Sequence, residues 1–234
     1  MSEQNQCDIM VFGAHPDDIE IGAGGLVAGE VSLGRKVVLV DLTQGEMASN
    51  GTPEERIGEA QNAADILGVS ERVNLKLPDS RLTVNEECLE PVVRVIRRFK
   101  PKVLIAPDSN DRHPDHIATS GLVTQAMFIS GLWKRYADIP SHRPARLFYY
   151  FLHYTREPSF VVDITQVYHT KQRAIMAHAS QFGTWQGQNP TELPYLLKRI
   201  EARNGYLGSL IKVEYGEGFY SPEPLRVRDT LQII

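Results

Sequence analysis

Two short clusters, His15-Pro16-Asp17-Asp18 and His113-Pro114-Asp115-His116, put imidazoles and carboxylates side by side just after apolar runs end. That mixture suits a divalent cation and hydrolysis. His15 and Asp18 stand three residues apart at the entrance to a helical stretch, a spacing that turns both side chains to one side. With His116 they give two imidazoles and one carboxylate. Three protein ligands and an open position for water describe a catalytic zinc site, whereas a structural site is closed by four ligands, often cysteines. The same donors accept ferrous iron. Taken singly, each cluster has a plainer reading, since an aspartate there would serve as a helix cap and His-Pro-Asp as a turn. Their joint placement favours metal chemistry, because three of the seven histidines fall in them. A Ser-His-Asp hydrolase has less support, as no Gly-x-Ser-x-Gly elbow follows a strand.

The frame that would bring the clusters together is legible in the periodicity. Ile9-Met10-Val11-Phe12 precedes the first cluster and Val103-Leu104-Ile105-Ala106 the second, and helical patterns follow both. Strands are expected at Asp8–Ala14, Lys36–Leu42, Val73–Leu77 and Val103–Ala106, and helices at Ile19–Leu33, Pro53–Leu67, from the cap Asn85 to Phe99, and at Ile117–Leu132. Such alternation predicts successive βαβ units in a Rossmann-like, doubly wound α/β fold with a mainly parallel sheet. In the strand order 3-2-1-4-5, strands one and four are neighbours, and their carboxyl ends flank the switch point where ligands bind. Beyond Pro140 the alternation loosens. Arg146–Tyr154 and Phe160–Val162 read as strands and Gln166–Ala179 and Thr191–Arg203 as helices, while the Gly-, Pro- and Tyr-rich end is unassigned. With neither repeat nor linker, residues 1–234 read as one domain with a less regular C-terminal portion.

Composition narrows the function classes. A chain of 234 residues with 42% hydrophobic content buries a full core. Its net charge of −4 comes from interspersed signs, with no basic block for nucleic acid or an anionic membrane. Cys7 and Cys88 lack metal-type spacing, the N-terminus lacks a signal pattern and no apolar run reaches membrane-spanning length, so the cytoplasm is the expected compartment.

Further motifs fall into place around the clusters: Thr43-x-Gly45-Glu46 after the second strand, Arg56-x-x-Glu59-Ala60 and Leu67-Gly68 on one helix, and His178-x-Ser180-Gln181. Over most of its length the chain resembles the PIG-L/LmbE-like zinc N-deacetylases. The wording Asp111-Arg112-His113-Pro114-Asp115-His116 is most similar to the bacillithiol-biosynthesis deacetylases that act on N-acetylglucosaminyl malate. The resemblance implies zinc on His15, Asp18 and His116, with Asp17 as general base. It also implies His113 as the group that stabilises the oxyanion or protonates the amine, with Asp115 orienting its ring. It implies a small N-acetylated amino-sugar conjugate as substrate and a homo-oligomer, a hexamer in particular.

The supporting residues admit two readings each. Glu46 and Arg56 would contact sugar hydroxyls, with a helix-surface ion pair as the alternative for Arg56. Arg143 has the fork to grip a substrate carboxylate, yet an exposed loop arginine is the commoner case. His178 lies on an apolar helical face as a structural, supporting or catalytic histidine. A different aglycone or a chitooligosaccharide is the alternative substrate. Gly22-x-Gly24-Gly25 suggests a competing function, a non-catalytic nucleotide- or sugar-binding module, although a dinucleotide site would not want His15 and two carboxylates against its pyrophosphate.

Overall fold

The computed structural model describes residues 6–182, 195–227 and 229. Strands β1 (Ile9–Gly13), β2 (Val37–Thr43), β3 (Glu71–Leu77), β4 (Val103–Pro107), β5 (Arg146–Tyr150), β6 (Phe160–Asp163) and β7 (Gly216–Tyr220) form one sheet in the order β3-β2-β1-β4-β5-β7-β6. The five strands from β3 to β5 are parallel, and β7 runs antiparallel to both of its neighbours. The expected 3-2-1-4-5 order is therefore present, and β1 lies directly against β4. Helices α1 (Asp18–Ser32), α2 (Pro53–Leu67) and α5 (Tyr168–Met176) cover one face, and α3 (Glu86–Phe99) and α4 (Pro114–Ser130) the other. Burial on both faces explains the unbroken apolar runs: Met10 and Phe12 pack toward α3 and α4, Ile9 and Val11 toward α1 and α2. Among the described residues no helix is long and apolar enough to cross a membrane.

The helix ends that aim the site are set locally. Thr52 and Glu55 close a capping box at the start of α2, and Gly68 ends it in the left-handed conformation. Gly22 and Gly25 of α1 serve packing. A Cβ on Gly22 would meet the Tyr150 ring at 2.0 Å, and one on Gly25 would meet Ile164 at 2.6 Å. Their close approach lets α1 lie on the sheet, and the glycine argument for a nucleotide-binding module falls away.

The second half departs further from expectation. β5 stops at Tyr150, because the carbonyls of Phe151 and Leu152 turn aside to accept from Arg203 Nη1 at 2.9 and 2.7 Å. The helix expected over Gln166–Ala179 breaks after Met176 and resumes as the short α6 (Ala179–Phe182). α7 spans Tyr195–Leu210, and the expected helical residues 191–194 lie outside the described residues.

β7 has no counterpart among the expected strands, since Gly216 and Gly218 flank a charged Glu217. Its glycines admit Val161 and Leu207 at close range, and Glu217 turns into the core. There it accepts from Gly25 N, Leu26 N and Lys171 Nζ at 2.8, 2.7 and 2.6 Å, tying β7 to α1 and α5. Both side chains of the Lys171–Glu217 pair are at most 1% exposed. Lys171→Met leaves that buried carboxylate without its cation, and the expected loss is about 3–5 kcal/mol of unfolding free energy. Urea denaturation measures it. A midpoint within error of the parent would show that the two backbone N–H groups suffice for Glu217.

Candidate metal centre

β1 and β4 end side by side, and the loops after them deliver both clusters to the same cleft. His15, His113 and His116 present ring nitrogens within 4.8 Å of one another. Asp18 is held among them: its Oδ2 accepts from the backbone of Ala14 and His15 at 3.0 and 2.9 Å and lies 3.4 Å from His15 Nδ1. Its other oxygen is 3.2 Å from His116 Nε2. The three expected ligands are thus adjacent, and Asp17, their neighbour in sequence, points elsewhere. Asp17 adopts φ 128°, a strained backbone for a residue with a side chain, and leaves α1 without a side-chain cap. The capping alternative for Asp17 is set aside.

A surrounding shell holds the imidazoles. Asp111 Oδ1 lies 3.0 Å from His116 Nδ1 and 2.8 Å from His153 Nδ1. Asp79 Oδ1 and Asp115 Oδ2 lie 3.2 and 3.3 Å from His15 Nε2, and Asp115 also accepts from Ser80 N at 2.7 Å. The Asp115 carboxylate therefore faces His15, and Asp115 reaches the His113 ring through its backbone N–H. His113 is held by backbone instead, its Nδ1 accepting from Asp115 N at 3.2 Å, so that Nε2 carries the proton toward the cleft.

Electrostatics sort these groups. Burial opposes the charges of Asp18, Asp79 and Asp111, but the histidines hold all three carboxyls well below the usual range. Burial likewise opposes charge on His116, and Asp18 and Asp111 carry it up to about 9. His113 is lowered by burial and by the neighbouring imidazoles, which keeps it neutral. Asp17 goes the other way: burial and the Asp18 charge push it up to about 6, against Arg56, His178 and His15. A base in that range is suited to take a proton near neutrality. The surplus of carboxylates around neutral-capable imidazoles fits a divalent cation, with metal replacing the protons that His15 and His116 otherwise gather.

The three substrate-contact candidates fare differently. Arg56 is buried, not on the helix surface: Nη1 donates to Gly45 O at 3.0 Å, Nη2 to Pro16 O at 2.8 Å, and Nη2 lies 3.6 Å from Asp17 Oδ2. Gly45, at φ 67°, has room for no Cβ beside this guanidinium. Glu46 accepts from Asp79 N at 2.8 Å and so splices the two loops at the cleft edge. Arg143 is corrected. Its loop precedes β5 and lies at the amino edge of the parallel strands, the end of the sheet opposite the centre, where its Nη2 donates to Phe128 O. Within one chain it does not reach a substrate bound at His15 and His116. His178 is fully buried and lies 3.5 Å from Glu20 Oε1, behind the centre.

Asp79, Asp111 and His153 escape the sequence reading. Asp111 carries a signal, standing beside the second cluster where β4 ends, but Asp79 and His153 come from loops after β3 and β5 with no motif to mark them.

Known proteins supply the remaining context. A family model described as PIG-L: GlcNAc-PI de-N-acetylase matches residues 10–127. A diacetylchitobiose deacetylase of Thermococcus kodakarensis is 30% identical over 224 residues, which cover 90% of this chain and 81% of that protein. Among solved structures, the conserved protein TT1542 from Thermus thermophilus aligns with TM-score 0.89 at 37% identity, over 96% of this chain and 99% of that one. An N,N'-diacetylchitobiose deacetylase from Pyrococcus horikoshii aligns with TM-score 0.80 at 26% identity, over 92% and 84% of the two chains. The family match takes in both clusters and the strands that carry them, and the chain belongs to the GlcNAc-PI de-N-acetylase (PIG-L) family.

Proposed function

We propose that the protein is a zinc-dependent N-deacetylase that removes acetyl from an N-acetylglucosamine conjugate, with N-acetylglucosaminyl malate the first substrate to test. The observation that carries this is Asp17, a raised carboxyl held off the cluster and beside it, where a water attacking an amide would lose its proton. Family membership and the named activity of the Thermococcus relative support the acetamide; the Asp111–His116 wording supports the malate conjugate. His15, Asp18 and His116 would hold the metal. When bound, zinc supplies Lewis-acid polarisation of the amide carbonyl and lowers the pKa of water.

The chain's own groups complete the hydrolysis. Asp17 takes a proton from the attacking water, and His113 Nε2–H faces the carbonyl oxygen as it becomes anionic. The C–N bond then breaks, the departing amine takes the proton that Asp17 accepted, and acetate and the free amino sugar leave. Asp111 and Asp115 fix the His116 and His15 rings. An assay of acetate and amine release by metal-loaded protein, over N-acetylglucosaminyl malate, N,N'-diacetylchitobiose and free N-acetylglucosamine, tests the proposal. Release from none of them would overturn it.

Arg56 offers a finer check. Its positive charge lowers the Asp17 carboxyl, so Arg56→Gln raises it, and a base that must be unprotonated then works only at higher pH. The acidic limb of kcat/KM is expected to move upward. A pH–rate profile with that limb unmoved, or moved down, would detach Arg56 from Asp17.

A further inference from the structure

The centre opens on two sides. One is polar, walled by His15, Asp17, Asp79, Ser80 and His113. The other is a cavity of about 270 Å³ that starts at Asp18 and His116 and runs along α7, walled by Ile21, Leu152, Leu196 and Ile200 with Tyr206 at its rim. Whole-ligand sites occupy roughly 300–1,000 Å³, so this side room suits one substituent of a ligand.

Two guanidiniums also line that apolar room, Arg199 and Arg203, one turn apart on α7. Among the described residues neither has a carboxylate at ion-pair distance. Arg203 spends Nη1 on the carbonyls of Phe151 and Leu152 and Nη2 on Ile21 O at 2.7 Å. Arg199 spends Nη2 on His153 O, and among the described residues its Nε and Nη1 make no bond. Glu217, the carboxylate whose field reaches Arg203, is already held by Lys171 at 2.6 Å. Burial lowers Arg203 only to about 10, which leaves it charged at neutrality. Arg199 is exposed and Arg203 half-buried, and like charges one turn apart on a helix repel. Apart from Asp18 at its metal end, the described lining of the room carries no carboxylate, and Arg199 is part of that lining.

We propose that this side room takes a carboxylate carried on the substituent attached to the amino sugar, with Arg199 as the specificity-determining residue and Arg203 as the fixed positive wall behind it. This rests on the deacetylase function proposed above. Arg199 presents the planar fork that pairs with a carboxylate, and Leu152 and Ile200 keep water from the carbon skeleton that bears it. The role expected of Arg143 passes to a residue on the correct side of the sheet.

The test compares N-acetylglucosaminyl malate with its dimethyl ester, which keeps the shape and removes the charge. The parent should favour the acid, and in Arg199→Ala the acid-to-ester ratio of kcat/KM should fall by about tenfold to hundredfold, the range for a hydrogen-bonded charged group. Arg199→Lys should restore part of the ratio. Calorimetric titration with glucosaminyl malate, the deacetylated product, reads the same contrast without turnover, so that failure of the deacetylase function leaves this result standing. An unchanged ratio, or equal product affinity in parent and Arg199→Ala, overturns the proposal.

Discussion

Asp17→Asn is expected to lower kcat by about two to four orders of magnitude, the usual contribution of a positioned general base, while bound metal stays near the parent level. The two halves of that result have separate causes. Asp18 is the carboxylate between His15 Nδ1 and His116 Nε2, at 3.4 and 3.2 Å, whereas Asp17 turns toward Arg56 at 3.6 Å. Replacing the Asp17 carboxylate by an amide removes proton acceptance and keeps the shape, so the strained φ of 128° and the start of α1 should persist. Asp18→Asn is the counterpart and should weaken metal binding first. Metal analysis beside steady-state kinetics separates them. Equal metal loss in both variants, or near-parental turnover in Asp17→Asn, would end the division of labour between these adjacent carboxylates.

The convergence of the two clusters is legible in the sequence because it depends on topology more than on detail, whereas the role given to Asp17 comes from the family resemblance. Unbroken apolar strands at Ile9–Phe12 and Val103–Ala106 are the mark of a sheet buried on both faces, and such a sheet places its switch point between those two strands. Short-range chemistry is legible too: the Thr52 capping box sets α2 to its first residue. What escapes has a common cause, that the partner lies far along the chain. The resemblance pairs Asp115 with His113 two residues away, and its backbone N–H does hold that ring, yet its carboxylate meets His15 across 100 residues. His153 joins the site because β5 ends early, and the arginine that ends it, Arg203, lies on α7. β7 hides its reason in a buried ion pair with Lys171 on α5, and no local propensity announces a strand that opens Gly-Glu-Gly. Arg143 shows the reverse error. Its residue type is right for an anion, but residue type carries no information on which end of the sheet a loop occupies, and the pairing of β5 parallel to β4 puts it at the far end.

Removing His116 is expected to abolish near-stoichiometric metal, and its graded neighbours make the result diagnostic. In His116→Ala the Asp18 carboxylate loses the ring 3.2 Å away and Asp111 loses one of its two imidazoles, leaving two of the three expected ligands. Two ligands bind zinc far less tightly than a full set of three. Asp111→Asn keeps all three but weakens the hold on the His116 ring, and a loss of about tenfold to hundredfold in metal affinity is expected from such a supporting contact. His113→Ala should keep its metal, since His113 Nδ1 is engaged by Asp115 N and its other nitrogen is assigned to substrate, and should lose rate instead. The ring cluster alone would permit His113 as the third ligand in place of Asp18, because His15, His113 and His116 also converge. Metal titration of these variants beside Asp18→Asn, with circular dichroism to confirm the fold, decides between the two sets. Metal lost from His113→Ala and retained by Asp18→Asn would exchange their roles, and metal retained by His116→Ala would move the centre away from α4 altogether.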